Sequence, residues 1–254
     1  MDVFYKIIFF ILGITLGSFY TVVGQRLPRG ENFVSGRSRC DSCNKTLKYY
    51  ELIPLFSFFL QKGKCRECGS KIDLLLPFME VACGLLFLVS FHSFGFSLDL
   101  LIALGIVSLL IIVLVSDLTY LIIPDKLLVF FSIYFIIVQI FRVGIVDTLI
   151  QIGIGVFLFS IMYLIMLIGN MAFKRESLGG GDIKLMFLFG LVLDPLLGVL
   201  TIFLGSLFAM PTAIYLHIKN DEKILPFGPF LIMAFAFIFF MKISANDFVT
   251  FLGF

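Results

Sequence analysis

The sequence predicts an all-α, polytopic membrane protein of about eight transmembrane helices, with one polar loop inserted between the first two. Three observations carry that prediction. First, 60% of the 254 residues are apolar and mean hydropathy is +1.11, which excludes an ordinary soluble domain. Second, several apolar runs approach the ~20 residues needed to cross ~30 Å of hydrocarbon at ~1.5 Å per residue. Third, the net charge is only +2, yet ten of the nineteen basic residues fall between Arg26 and Lys71. Polar material is thus gathered in one insertion, and neither an internal repeat nor a low-complexity tail is present.

The first apolar run covers residues 3–23. It is long for a signal peptide, no small-residue cleavage site follows it, and it leads into Gln25-Arg26-Leu27-Pro28-Arg29. It therefore reads as a retained first helix, residues 1–24, in which Gly13, Gly17 and Ser18 form a surface for close helix packing. A loop domain over residues 25–73 comes next, with Cys40-Asp41-Ser42-Cys43 and Cys65-Arg66-Glu67-Cys68. Two CxxC pairs separated by twenty-one residues fit a tetrahedral zinc site, one residue beyond the usual spacing window. Gly69 ends the second knuckle, where a positive φ suits glycine. Four thiolates close the coordination sphere, so Cys40, Cys43, Cys65 and Cys68 are expected to hold structural zinc and not a catalytic ion. Disulfides are the competing reading, disfavoured for a loop that faces a reducing compartment. Residues 49–60 are apolar but too short to span. They fit either an aromatic segment lying in the membrane interface or a small core folded around the zinc.

A transmembrane helical domain over residues 74–254 follows, with spans predicted near residues 74–91, 98–116, 126–141, 146–168, 183–193, 196–216 and 225–241. With the first run they make eight and return both termini to one side. Placing the loop domain in the cytoplasm puts sixteen basic residues inside, among them Lys126, Lys174, Arg175, Lys184, Lys219 and Lys223, and leaves only Lys6, Arg142 and Lys242 outside. That asymmetry sets the orientation by the positive-inside rule.

Two carboxylates stand out against this background. Leu178-Gly179-Gly180-Gly181-Asp182-Ile183-Lys184 sets an acid and a lysine where a glycine-rich turn meets an apolar segment. Asp117 closes the third predicted span and Asp182 opens the sixth, so both fall at the cytoplasmic face. An ionised carboxylate at such a boundary must be solvated, paired or chemically used. Three glycines supply backbone conformations that a Cβ hinders and allow another chain to approach. Of the other polar residues, Glu80 reads as an interior polar contact, Cys83 as a small buried apolar residue, and Asp125, after Pro124, as a turn or cap of the fourth span. His92 and His217 lack a third histidine or an HExxH, so a catalytic metal is not expected, and no GxSxG supports a serine hydrolase.

The order of these motifs resembles the bacterial type IV prepilin peptidases, membrane aspartyl proteases of the GxGD kind, over most of the chain. Leu16-Gly17-Ser18-Phe19 with Arg26-Leu27-Pro28, the paired CxxC knuckles, Ile53-Pro54-Leu55, and Pro77 with Glu80 resemble the family's N-terminal blocks. Asp117 with Ile123-Pro124-Asp125, Gly179-Gly180-Gly181-Asp182-Ile183-Lys184, and Pro226-Phe227-Gly228-Pro229 resemble its later blocks. The resemblance implies cleavage of prepilin or pilin-like substrates just after a glycine at the cytoplasmic side of a bacterial inner or plasma membrane. It further implies N-methylation of the new amino terminus, with S-adenosylmethionine as methyl donor. Asp117 and Asp182 would be the catalytic pair, Gly179, Gly181 and Lys184 would bind substrate, and Asp125 and Glu80 would support them. Thr21 stands where the family usually has asparagine, and Gly24-Gln25 also departs from the usual apolar-aromatic pair; these changes bear on methyl transfer and not on proteolysis.

The chemistry of the residues agrees. Two carboxylates a few Å apart do not both ionise cheaply, so one keeps a proton while the other acts as base toward water. Gly179 to Gly181 would let an extended substrate strand lie against the backbone, and Lys184 either binds substrate or snorkels to the interface. The partners expected are the prepilin-like substrates and the lipid bilayer, with no nucleic acid. A transporter using intramembrane acids is the rival from another class, and a methyltransferase with structural acids is a second.

Overall fold

Hydrocarbon offers no partner to unpaired backbone N–H and C=O groups, so apolar runs of this kind fold as helices. The computed structural model describes residues 2–40, 42–174, 178–219 and 225–244. Asp41 of the first CxxC, and Arg175 and Lys223 of the interior charge count, lie outside them. The described residues form helices joined by loops, with two isolated β-bridges and no strand. They fall into two compact units, Met1–Phe96 and Ser97–Phe254.

In the N-terminal unit α1 (Asp2–Arg26) packs along α3 (Leu75–Phe94). The predicted small-residue surface is used as expected at two of its three positions. A Cβ on Gly13 would stand 2.8 Å from the Gly84 Cα, and one on Gly17 would stand 2.8 Å from the Cys83 Cβ. Cys83 is fully buried at this contact, and Phe9 stacks on Phe91 with ring centroids 4.6 Å apart. Arg26 sits in the last turn of α1, where a cation suits the helix dipole. Its guanidinium donates to the carbonyls of Asn32, Gly36 and Arg37 at 3.3, 3.1 and 3.2 Å, which folds the start of the loop back on the helix end. Residues 49–60 form a short 3-10 turn (Tyr49–Glu51) and α2 (Phe56–Leu60). Tyr49 and Phe59 are 84% and 73% exposed and α2 buries no residue, so this segment presents its apolar side chains outward and does not make a core around the cysteines.

The C-terminal unit is built on α4 (Leu98–Tyr120), the most enclosed of the long helices. Ser97 caps it by accepting from the Leu100 N–H at 3.3 Å, and Leu121 ends it in the left-handed region at φ 55°. Around it lie α5 (Asp125–Val143), α6 (Ile145–Phe173), α7 (Gly180–Gly190), α8 (Pro195–Ile218) and α9 (Gly228–Phe240). All eight predicted apolar segments are helical, but among the described residues six helices are long and apolar enough to cross a membrane, namely α1, α3, α4, α5, α6 and α8. The predicted sixth and eighth spans are α7, of 11 residues, and α9, of 13. Each packs one side against neighbouring helices, with Phe189 of α7 stacked on Phe235 of α9 at 4.5 Å, while Met233 and Phe237 of α9 stay exposed.

Candidate active site

Three elements of the C-terminal unit converge on one point. Asp117 lies in the last turn of α4, Asp182 in the first turn of α7, and Gly228 opens α9. The two aspartates are only 6% and 7% exposed. A Cβ built on Gly228 would stand 3.1 Å from Asp117 Oδ2 and 3.1 Å from Asp182 Oδ1, so those oxygens cannot be further apart than twice that distance. The Gly228 N–H donates to the Asp117 carboxylate and the Gly179 N–H to that of Asp182. Ile123, in the turn between α4 and α5, closes the same space, with its Cδ1 2.6 Å from the Gly228 Cβ position.

The glycine run works differently from the sequence expectation. Gly179 is the N-cap of α7 in extended backbone (φ −70°, ψ 139°), and neither it nor Gly180 or Gly181 has a positive φ. What the position of Gly181 requires is space, because a Cβ there would stand 2.8 Å from the Ile123 Cβ. At Gly181 a close approach is made by the chain's own α4–α5 turn. Asp125 and Lys184 also differ from expectation. The N-cap of α5 is Pro124 with no side-chain cap, and Asp125, in the first turn, accepts from Lys184 Nζ at 2.6 Å. Both side chains of this pair are exposed, 67% for Asp125 and 47% for Lys184.

In the N-terminal unit the four cysteines meet. The Sγ atoms of Cys40, Cys43, Cys65 and Cys68 all lie within 4.8 Å of one another, a donor set that fits one tetrahedral metal ion. Two matched knuckles bring them together. Cys40 N–H donates to Lys45 O and Cys65 N–H to Ser70 O, while Asn44 and Gly69 N–H groups return to Cys40 O and Cys65 O. Gly69 has the expected positive φ, 70°, and Asn44 takes the equivalent place at φ 56°. Backbone N–H groups of Cys43 and Ser42 hold the Cys40 thiol down at about 6, and the Ser70 hydroxyl lowers that of Cys68. Lys45 ties the knuckles to each other and to the 3-10 turn, 3.1 Å from Glu67 and 3.8 Å from the buried Glu51.

Comparison with known proteins bears on both regions. Residues 11–94 match the bacterial peptidase A24 N-terminal domain and residues 104–214 the type IV leader peptidase family. The chain is similar to the prepilin leader peptidase/N-methyltransferase of Bacillus subtilis, 34% identical over 230 residues that cover 87% of this chain and 88% of that protein. The protein so named in Vibrio cholerae is 30% identical over 253 residues, 94% of this chain and 98% of its own. This chain belongs to the type IV leader peptidase family. A further relative of the same name, from Myxococcus xanthus, is 36% identical over 201 residues, 77% of this chain and 59% of its own length. No solved structure matches the chain.

Asp117, Asp125, Asp182 and Lys184 lie inside the stretch matched to the family, and the cysteines and Glu80 inside its N-terminal domain. Glu80 is buried, as its sequence position suggests; it accepts from the Leu55 N–H at 2.8 Å and from the Ser18 hydroxyl, and so pins the Ile53-Pro54-Leu55 segment to α3. Ser18 is therefore a hydrogen-bonding residue and not one more small packing residue. The residues that sequence reasoning missed are Gly228 and Ile123. The signal was present in the Pro226-Phe227-Gly228-Pro229 motif, but a glycine's lack of a side chain shows its purpose only when the two carboxylates stand beside it.

Proposed function

We propose that this protein is a membrane aspartyl endopeptidase in which Asp117 and Asp182 act as one acid–base pair. It removes the leader peptide of type IV prepilins and pilin-like proteins after a glycine, then N-methylates the new amino terminus. The observation that carries the reading is the convergence of two buried carboxylates on Gly228, at the ends of α4, α7 and α9. Carboxylates this close share a proton. The ionised member takes a proton from water, whose oxygen attacks the scissile carbonyl carbon, and the protonated member donates to the carbonyl oxygen. Collapse of the tetrahedral intermediate breaks the C–N bond and returns the proton to the amine. The titration belongs to the pair, so neither role is assigned to one aspartate. Gly179, Gly181, Asp125 and Lys184 frame this centre and position the substrate segment.

Cys40, Cys43, Cys65 and Cys68 hold zinc, which in a closed four-thiolate site cross-links the loop and takes no part in catalysis. The charge asymmetry supports an orientation with this loop and the aspartates on the cytoplasmic side of a bacterial plasma membrane. The double name of the relatives supports methyl transfer, for which S-adenosylmethionine supplies the methyl group when bound. A transporter reading gives no part to the cysteine cluster.

The test is cleavage of a prepilin-like peptide, read by mass, with Asp117→Asn, Asp182→Asn and the double variant at matched expression. Because the pair works as a unit, each single change should abolish cleavage almost as fully as the double change. Full activity in either single variant would end the aspartyl-protease assignment.

A further inference from the structure

The loop domain carries a helix whose faces are reversed for a surface in water. In α2, Phe56, Phe59 and Leu60 recur at i, i+3 and i+4, so they share one face, and all three are exposed. Ser57, Phe58 and Gln61 fall on the other face and line the polar cavity between α1 and the knuckle loop. The more apolar face is thus the outer one. A helix bathed by water on that side would turn Ser57 and Gln61 towards it. Tyr49 and Ile53, just ahead of α2, add further exposed apolar surface.

The level of this face is set by its anchor. The Leu55 N–H, at the head of α2, donates to Glu80 Oε2 at 2.8 Å, and Glu80 is the sixth residue of α3. The 20 residues of α3 match ~30 Å of hydrocarbon at ~1.5 Å per residue. The head of α2 is therefore tied to a point about 8 Å along α3 from the end at which that helix enters the bilayer. An apolar face held at this level meets the boundary between headgroups and acyl chains. The charges beside it have one sign. No aspartate or glutamate occurs from Leu52 to Arg66. Lys62 and Lys64 follow α2 directly, are exposed, and make no ion pair among the described residues. Apolar side chains facing the boundary with lysines at headgroup level are the pattern of an interfacial helix on an anionic surface.

We propose that α2 docks the cysteine loop onto the bilayer. Phe56, Phe59 and Leu60 enter the boundary, and Lys62 and Lys64 meet anionic phospholipid headgroups. The loop domain is thereby held to the membrane at α2 as well as at its two ends, which continue into α1 and α3.

The chain contains no tryptophan, so Phe59→Trp gives a single fluorescent reporter. The full-length, zinc-loaded variant is placed in nanodiscs of phosphatidylcholine and phosphatidylglycerol. Its emission should be blue-shifted from that of tryptophanamide in water. Lipids brominated near the headgroup end of the chain should quench it more than lipids brominated near the chain terminus, at a depth of about 5–10 Å. Phe56→Trp, on the same face, should behave alike and serves should the first variant fold poorly. In the Phe59→Trp background, Lys62→Gln and Lys64→Gln should each lower the docked-to-free ratio, read from iodide quenching, about fivefold with zinc content unchanged. Discs of phosphatidylcholine alone should lower it in the same direction. Water-like emission without bromine quenching would overturn the docking. A blue shift without bromine quenching would overturn it too, since the face would then be covered by protein, a second copy or a bound substrate. Equal iodide access in neutral and anionic discs would overturn the headgroup role of the lysines.

Discussion

Gly228→Ala gives the sharpest test of the carboxylate geometry. The added methyl group would stand 3.1 Å from Asp117 Oδ2, 3.1 Å from Asp182 Oδ1 and 2.6 Å from Ile123 Cδ1. The Ile123 contact is with the end of a flexible side chain, which can rotate away. The carboxylates have less room, because each must retreat by a few tenths of an ångström while keeping its backbone N–H donor, Gly228 for one and Gly179 for the other. A misplacement of ~1 Å at reacting groups costs on the order of 100-fold. A shift of a fraction of that, at both groups together, should lower kcat between about 10- and 100-fold, or about 1.4 to 2.7 kcal/mol of barrier. KM should change little, since the peptide is bound along a longer surface. The assay is steady-state cleavage of a prepilin-like peptide, with Tm measured on the same samples. Adding Ile123→Val removes the Cδ1 and with it the steric contact. That second change should recover Tm without recovering kcat if the carboxylates are what the methyl group displaces. Wild-type kcat in Gly228→Ala, or full rescue of kcat by Ile123→Val, would refute the reasoning.

Two further outcomes are expected. Cys40→Ser or Cys65→Ser should lower bound zinc from about one ion per chain to near none by elemental analysis, and should make residues 26–73 sensitive to limited proteolysis, because three thiolates and a hydroxyl no longer match the ion; wild-type protein that is active and free of metal would contradict this. Asp125→Asn and Lys184→Met each remove one half of an exposed ion pair, so each should cost under about 1 kcal/mol of stability and reduce cleavage only partially, which denaturant titration and peptide cleavage together would check.

Much of this protein was legible in its sequence because the relevant signals are local. Hydropathy located eight apolar segments, since each run announces itself without reference to any other. The spacing of Cys40, Cys43, Cys65 and Cys68 announced one metal cluster, since two residues between thiols suit a knuckle wherever it sits in a fold. Topology alone put Asp117 and Asp182 at one end of the bundle. What it could not supply was anything that depends on which surfaces meet. How far each apolar segment continues as helix, only 11 residues in α7 and 13 in α9, was visible only in the folded chain. The purpose of Gly181 was decided by Ile123 pressing against it, and the partner of Lys184 by Asp125 arriving from another helix. Gly228 is the clearest case. Its value lies in the space a side chain would take from two carboxylates brought from distant parts of the chain, and an absence of atoms acquires meaning only when the neighbours are in place.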